Sequence, residues 1–289
     1  YVVVDESLLL QWYYQDLDEV GDTFFANNNI KPCVSRITSF SAYDNTNWSL
    51  NEIFYYGENI GFDLPSDYEQ VIMSFDVSNV TIFNSCFSSH TEFNIDIGYW
   101  DVSSAIDMFG MFFQAHSFNQ DISNWDVSSV TSMTGMFDGN IEFNQDISNW
   151  DVSNGTDFNK MFSFSYEFNQ DISGWDVSNG SDFSSMFYRA YDFDQDIGSW
   201  DVSNGTEFSY MFSDARKFDQ DISSWDVSNG TNFKWMFSYA YDFNQDLGNW
   251  DVSNGTNFEY MFSEASAFNQ DIGRWDVSNG TDFSEMFLC

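Results

Sequence analysis

The chain has 289 residues, of which 33 are Phe, 15 are Tyr and 11 are Trp. This aromatic content excludes a disordered acidic tail, because disordered segments are poor in aromatic residues. Only 8 Lys and Arg stand against 46 acidic residues, so the net charge of −38 repels polyanions and argues against nucleic-acid binding. No apolar run approaches the roughly 18 residues of a membrane-spanning helix, so we expect no membrane span.

Residues 1–74 lack the repeat that fills the rest of the chain and hold both prolines, Pro32 and Pro65. A strand-like run from Tyr1 to Val4 and an amphipathic run from Ser7 to Val20 predict a segment that caps the repeats or pairs with a neighbouring molecule. The sequence starts at Tyr1 without a Met or a basic n-region, so we expect that any secretory signal was removed or never belonged to this sequence.

A 25-residue repeat fills residues 75–289. Each copy opens on Trp-Asp-Val-Ser, except that Phe75 opens the first copy as Phe-Asp-Val-Ser. Repeats of 20–50 residues indicate stacked or arrayed units, whereas 25 residues are too few for a four-stranded propeller blade. The tryptophans that open the copies are Trp100, Trp125, Trp150, Trp175, Trp200, Trp225, Trp250 and Trp275.

The copy from Trp150 to Gly174 represents the predicted secondary structure. Phe158, Met161, Phe162 and Ser165 fall at i, i+3, i+4 and i+7, the spacing that lines one side of a short helix, and Thr156 stands where an N-cap residue would. The runs Phe168–Ile172 and Trp150–Val152 alternate apolar with polar residues, or nearly so, as a strand with one buried face does.

These elements predict an α/β repeat solenoid, a leucine-rich-repeat-like stack of about nine coils with one short strand and one short helix in each. One unit cannot bury its own aromatic face, so stacked neighbours must cover it. The predicted domains are an N-terminal capping or assembly segment, residues 1–74, and the repeat stack, residues 75–289.

One string of the repeat resembles a known family. Phe168-Asn-Gln-Asp-Ile-Ser-Gly-Trp-Asp-Val-Ser178, followed by Met186-Phe187, is similar to the aromatic-rich 25-residue repeat of BspA-like leucine-rich-repeat surface proteins, which occurs in mycoplasma lipoproteins. Six copies have Gly after the Asn of the turn, as in Asn154-Gly155, where the family often has Val. The resemblance implies a secreted or cell-surface protein used for adhesion, binding or scaffolding.

Asn-x-Ser/Thr sequons recur in the chain, seven of them at one position of the repeat. They are consistent with a row of N-linked glycans along one edge. They are also consistent with turn chemistry, in which Asn-Gly makes a tight turn and Thr caps the next helix. The predicted glycosylation sites are Asn47, Asn79, Asn154, Asn179, Asn204, Asn229, Asn254 and Asn279.

Two columns of aspartates repeat with the same period. One follows the Trp, as Asp151 does, and the other precedes the Ile, as Asp171 does. Stacked carboxylates repel one another, so each is expected to accept backbone N–H hydrogen bonds; Ca²⁺ bridging adjacent coils is the alternative. A third column, represented by Asn169, predicts a side-chain ladder. We expect no other cofactor.

Neither the cysteines nor the histidines form a site pattern. Cys33, Cys86 and Cys289 are too scattered for a zinc site, and only a Cys33–Cys86 disulfide is conceivable. His90 and His116 lack metal-ligand or triad spacing, so we interpret them as solvated loop residues.

The sequence favours a non-enzymatic extracellular protein, because identical carboxylates in every coil do not make one active site. The first hypothesis is a glycosylated subunit of a surface fibril, appendage or layer that associates with its own copies. The alternative is an adhesion module that binds a protein or glycan through an exposed strand face. Its anchors would be Tyr166, Tyr188, Tyr191, Tyr210, Trp235, Tyr239, Tyr241 and Tyr260.

Overall fold

The computed structural model describes residues 72–73 and 75–288, together with the backbone of two short strands before them. Strand β1 is Val2–Val3 and strand β2 is Pro32–Cys33, and they pair in parallel with Val2 opposite Pro32. Strand β1 falls inside the run predicted to be strand-like. The predicted amphipathic run from Ser7 to Val20 lies outside the described residues.

The repeat region is a stack of 25-residue coils joined by single parallel β-bridges. Between residues 75 and 288 the chain contains no helix and no strand longer than one bridging residue. The predicted α/β solenoid, with a short strand and a short helix in each coil, is therefore wrong. The bridging residues are Ile82, Asp107, Ser132, Asp157, Asp182, Glu207, Asn232, Asn257 and Asp282, each paired with the next.

A run of tight turns replaces the predicted helix. The amides of Met161 and Ser165 donate to carbonyls three residues earlier, and the turns they close have left-handed backbone at Lys160 (φ 57°) and Phe164 (φ 54°). A positive φ at the third residue is typical of a type II turn and interrupts an α-helix. Alternate amides, such as that of Phe162, donate 2.9 Å to the next coil, so the backbone is satisfied between coils.

The helix pattern nevertheless predicted the correct inward-facing residues. Phe158, Met161, Phe162 and Ser165 are all buried, because left-handed residues four apart give the turns nearly the period of a helix. Thr156 does not cap a helix. Its amide and its hydroxyl both donate to the carbonyl of Thr131 in the preceding coil, at 3.0 and 3.3 Å.

In the segments predicted to be strands, backbone amides donate to side-chain oxygens rather than to the backbone of a neighbouring strand. The amide of Asn169 donates 3.0 Å to Oδ1 of Asn144 in the preceding coil, and the amide of Ser173 donates to Oδ1 of Asp171. Trp150 and Val152 are buried around an exposed Asp151, as the alternation predicted. The pattern therefore predicted burial correctly but not the backbone ladder.

Aromatic columns form the core of the stack. Two phenylalanines in each coil, such as Phe162 and Phe168, stack with ring centroids 3.8 Å apart, and each also stacks on its equivalent in the next coil at 5.8 and 6.1 Å. The tryptophans form another column, in which Trp150 and Trp175 lie 6.4 Å apart and nearly parallel. No coil has another source of burial for these rings, so each stabilises its neighbours.

Cys86 lies inside this core as a free thiol and is fully buried. The conceivable disulfide with Cys33 is thus absent, and burial raises the pKa of the Cys86 thiol well above its usual value. Among the described residues, no helix is long and apolar enough to cross a bilayer.

Candidate functional site

One surface of the later coils carries a connected set of aromatic and arginine side chains, which we call the aromatic ridge. The turns that replace the predicted helix position it, and it holds all eight anchor residues proposed from sequence. The expectation of an exposed strand face was wrong, since these residues lie on turns. The ridge comprises Phe164, Tyr166, Tyr188, Arg189, Tyr191, Tyr210, Arg216, Trp235, Tyr239, Tyr241 and Tyr260.

Ring contacts connect the ridge from coil to coil. Tyr210 stacks on Trp235 with centroids 5.6 Å apart, and Trp235 stacks on Tyr260 at 4.4 Å. Tyr166 and Tyr191 stack at 4.6 Å. Because the rings cover one another's faces, the ridge presents mainly ring edges and hydroxyl groups to solvent.

Two arginines belong to the ridge although the sequence did not single them out. Cζ of Arg216 lies 4.0 Å from the ring centroid of Tyr191, and Cζ of Arg189 lies 5.2 Å from that of Phe164. Both distances are within the range of cation–π attraction. In the sequence they are large side chains at variable positions of the turn segment. A search for tyrosine and tryptophan alone does not find them.

Six of the eleven ridge residues stand at backbone positions that glycine would occupy more easily. Tyr210 and Trp235 both have φ 59°, and Tyr260 has φ 54°. Gly110 and Gly135 hold the same position in earlier coils, with φ 55° and 57°. Left-handed backbone costs a non-glycine residue about 1–2 kcal/mol, so the fold tolerates this strain in several successive coils.

Ion pairs hold the charged groups beside the ridge. Asp214 is buried and binds Arg216, with Oδ1 2.8 Å from Nε, while Arg189 Nε lies 3.4 Å from Oδ2. The hydrogen bond to Asp214 raises the pKa of Arg216. Lys217 pairs with Asp192 and Lys234 with Glu259, each at 2.6 Å.

The two aspartate columns serve the turns. All 17 accept a hydrogen bond at Oδ1 from the backbone amide two residues later. This confirms the expectation that the backbone engages these carboxylates. The side-chain and backbone hydrogen bonds from Ser153 and Ser173 lower the pKa values of Asp151 and Asp171. No group of three or more metal-binding side chains occurs in the described part of the chain.

Asp138 differs from these aspartates because it is buried, with only 9% of its surface exposed. Burial raises its pKa to about 6, against the opposing effects of a hydrogen bond with Ser163 and the charge of Lys160. Asn140, two residues later, is fully buried and neither atom of its amide has a hydrogen-bond partner. The coil 125–149 thus holds the least satisfied polar groups of the core.

The sequon asparagines of the later coils form a ladder. In six of them Nδ2 donates to a carbonyl of the preceding coil, at 2.7 or 2.8 Å. Asn79 instead makes a 3.5 Å contact with Ser78, and Asn47 lies outside the described residues. The six are Asn154, Asn179, Asn204, Asn229, Asn254 and Asn279.

The remaining predicted positions are the Asn column and the two histidines. Oδ1 of Asn169 accepts the amide of Asp194 at 2.9 Å and Nε2 of Gln195 at 2.7 Å, which confirms the predicted side-chain ladder. His90 and His116 are half-buried rather than fully solvated.

The described coils define a tandem-repeat protein. Its coils share one aromatic core and differ from one another along one surface. The chain belongs to the family described as "Mycoplasma protein of unknown function, DUF285", whose profile matches residues 28–139, 120–220 and 196–288. The first match begins at residue 28, inside the predicted N-terminal segment of residues 1–74. No curated protein is similar enough in sequence to count as a match.

Proposed function

We propose that the protein is a non-enzymatic recognition module that binds an extracellular partner, a protein or a glycan, through the aromatic ridge. The observation that carries this proposal is the strained backbone beneath the ridge. Tyr210, Trp235 and Tyr260 have left-handed backbone in three successive coils, although no ring is needed there. The same position holds glycine, serine, lysine or glutamate in the other coils, at Ser85, Gly110, Gly135, Lys160, Ser185 and Glu285. Strain that folding does not require is typical of functional positions.

The composition of the ridge also supports binding. Tyrosine, tryptophan and arginine dominate the residues that contribute most to the affinity of protein interfaces. Mutual stacking, as between Trp235 and Tyr260 at 4.4 Å, fixes the rings before any partner arrives. A partner therefore binds a surface whose side-chain entropy is already reduced.

The electrostatics of the molecule favour this surface over the others. The aspartate columns give the remaining faces a dense negative charge, whereas five of the described cations, Lys160, Arg189, Arg216, Lys217 and Lys234, lie on or beside the ridge. Ion pairs there neutralise part of the negative charge, at Asp192, Asp214 and Glu259. An approaching partner meets less repulsion there than elsewhere.

A structural role for the carboxylates supports the non-enzymatic part of the proposal. General acid–base chemistry needs groups in unlike environments, but the aspartates of both columns each accept a turn amide in the same way. We therefore assign these carboxylates to the turns rather than to catalysis.

The proposal is tested by binding of the labelled monomer to a printed array of glycans and extracellular-matrix proteins. We expect saturable binding that is lost in the variant Tyr210→Gly/Trp235→Gly/Tyr260→Gly, which removes the rings at positions where glycine fits the backbone. The control Asp176→Asn/Asp226→Asn removes two negative charges from turn aspartates outside the ridge. It should bind as the unaltered protein does. Equal binding by the glycine variant would contradict a role for the ridge.

A second candidate is a structural subunit that associates with its own copies. The observation that favours it is that successive coils are joined everywhere by the same backbone bonds, such as Phe162 to Met186 and Phe187 to Met211, both 2.9 Å. The exposed face of one coil can therefore form the same bonds with the exposed face of a coil in a second copy of the chain. Sedimentation velocity tests this: concentration-dependent growth that survives the glycine variant favours assembly, and a monomer at all concentrations contradicts it.

The finer family assignment and the location are part of the same proposal. We assign the repeat to the BspA-like type of surface protein, and hence to a secreted or cell-surface location. The support is the resemblance of the repeat string and the acidic, aromatic composition. Fractionation of the native cells with an antibody to the protein tests this, and a signal confined to the cytosol would contradict it.

A further inference from the structure

We propose that the repeated sequons are rungs of a structural ladder that keeps N-glycans off the folded stack. The six asparagines of the later coils would remain unmodified in the folded protein. Asn79 is then the described sequon at which the fold can carry a glycan. Each of the three residues of the sequon has its own packing or hydrogen-bonding role, and each of the two described coils without a sequon keeps one of the two hydrogen bonds.

The asparagine of the sequon supplies a hydrogen-bond donor. Nδ2 of Asn204 donates 2.7 Å to the carbonyl of Ser178 in the preceding coil. Ser104 stands at the same position in a coil that has no sequon, and its hydroxyl donates 2.7 Å to the carbonyl of Ser78. In that coil the donor between coils is present without the asparagine, so the bond does not depend on the glycan-acceptor motif.

The glycine of the sequon makes room for a core ring. A Cβ added to Gly205 would lie 2.4 Å from Cζ of Phe208, which no real contact allows. Where the earlier coil has Val130 at this position, Met133 replaces the phenylalanine. The coil 75–99 nevertheless holds Val80 together with Phe83, both fully buried, so the glycine of the later coils is one of two ways in which the core accepts the ring.

The threonine of the sequon supplies a second donor between coils. Oγ1 of Thr206 donates 3.3 Å to the carbonyl of Ser181, and Oγ1 of Thr131 makes the same bond to Ile106 at 3.1 Å. Thr131 belongs to no sequon. The hydroxyl is therefore present for the stack whether or not an asparagine precedes it.

A glycan would disturb this ladder in two ways. It is attached at Nδ2, the atom that lies 2.7 Å from the carbonyl oxygen, and it replaces one of the two hydrogens of that donor. In addition, equivalent rings in successive coils lie only about 6 Å apart, 5.8 Å for Phe183 and Phe208, so that glycans on successive rungs would crowd one another. Among the residues that the structure describes, Asn79 would lose only the 3.5 Å contact with Ser78.

Secretion of the whole chain from a eukaryotic host that attaches N-glycans tests the proposal, with occupancy measured site by site by mass spectrometry. We expect the folded, secreted fraction to carry glycan at Asn79 and none at the six ladder positions. Occupancy at the ladder positions, with an unfolding midpoint that enzymatic deglycosylation does not change, would overturn the proposal. An unoccupied Asn79 would overturn its second part.

Two substitutions at one rung separate the ladder from the sequon, because both remove the acceptor. Asn204→Ser keeps a donor, as Ser104 shows, and should leave the unfolding midpoint of unglycosylated protein unchanged. Asn204→Ala removes the donor and should lower the midpoint by about 2–4 °C, the shift expected for one hydrogen bond in a chain of this size. Equal midpoints for the two variants would show that the amide has no role between coils.

Discussion

The earlier coils, residues 75–149, and the later coils, residues 150–274, share a core but differ on their surface. Phe112 and Phe212 occupy the same aromatic column, each 5.6 or 5.7 Å from the next ring. At the left-handed turn positions, however, the earlier coils have three glycines, such as Gly110 and Gly135, beside Ser85, Ser89 and Gln114, whereas the later coils have no glycine there and carry most of the bulky side chains.

This difference separates what the fold needs from what the surface displays. The stack forms with either set of residues at the left-handed positions, so the backbone geometry is imposed by the core and by the bonds between coils. The aromatic ridge is therefore an addition to the later coils, made at the expense of local strain. Substitutions that exchange residues between the two regions test this separation.

The largest effect is expected from the core that both regions share. Phe112→Ala and Phe212→Ala each remove a fully buried ring and should each lower the free energy of unfolding by about 3–5 kcal/mol. Urea denaturation of the two variants measures this. A loss confined to one of them would show that the two regions do not have equivalent cores.

Asp138, in the last of the earlier coils, should give a pH-dependent effect of about 3 kcal/mol. Its pKa is raised from 3.8 to about 6, so the folded state favours the protonated form and stability falls as pH rises from 4 to 6. The difference of about two pH units corresponds to about 3 kcal/mol. Asp138→Asn should remove this penalty. The variant should be more stable than the unaltered protein at pH 7.5 and equally stable at pH 4.

The exposed turn aspartates provide the contrast for that measurement. Hydrogen bonds from serine lower the pKa values of some of them, such as Asp151 and Asp171, so the stabilisation from these carboxylates is present above pH 4 and is lost only below it. Parallel pH profiles for Asp138→Asn and the unaltered protein between pH 4 and 7.5 would contradict the raised pKa of Asp138.

A smaller effect is expected from exchanging the Gly-Phe pair of a later coil for the Val-Met pair of an earlier one. Gly205→Val alone pushes a side chain into the ring of Phe208 and should cost about 1–3 kcal/mol. The second change Phe208→Met, which copies Val130 and Met133, should recover much of that loss. A double-mutant cycle measures the recovery, and strict additivity of the two losses would refute the coupling.

The smallest effect is expected from the left-handed positions themselves. Ser185 has φ 57° and is not itself a ridge residue, so Ser185→Gly should stabilise the fold by about 0.5–1 kcal/mol. The reverse change, Gly135→Ser, should destabilise it by a similar amount. Chemical denaturation of both variants provides the check, and shifts of the same sign would contradict the strain argument.

The sequence predicted the period, the buried residues and the columns, because all three follow from identical side chains recurring every 25 residues. It also predicted the role of the aspartates and of the Asn column, since carboxylate and amide groups have few partners in a stack. Asn169 and Asp171 both accept the amides expected of them. The aromatic residues selected from the sequence as anchors lie on the turns of the later coils, and their role in binding stays a prediction.

The secondary structure could not be predicted in this way. The spacing of Phe158, Met161 and Phe162 is the same for a helix and for turns that repeat every four residues. What decides between them is the left-handed backbone at Lys160 and Phe164, and neither residue type signals it. The amides that leave the coil for its neighbour are a property of the stack, which no single window of sequence contains.

Removal of one complete coil, residues 175–199, tests most directly whether each coil bonds to residues one full period away. The deletion joins Gly174 to Trp200, keeps the register, and should leave cooperative urea unfolding with a slope reduced by the surface of one coil. Deletion of residues 175–186 breaks the register and should abolish the cooperative transition. Equal behaviour of the two deletions would contradict the stacked-coil structure.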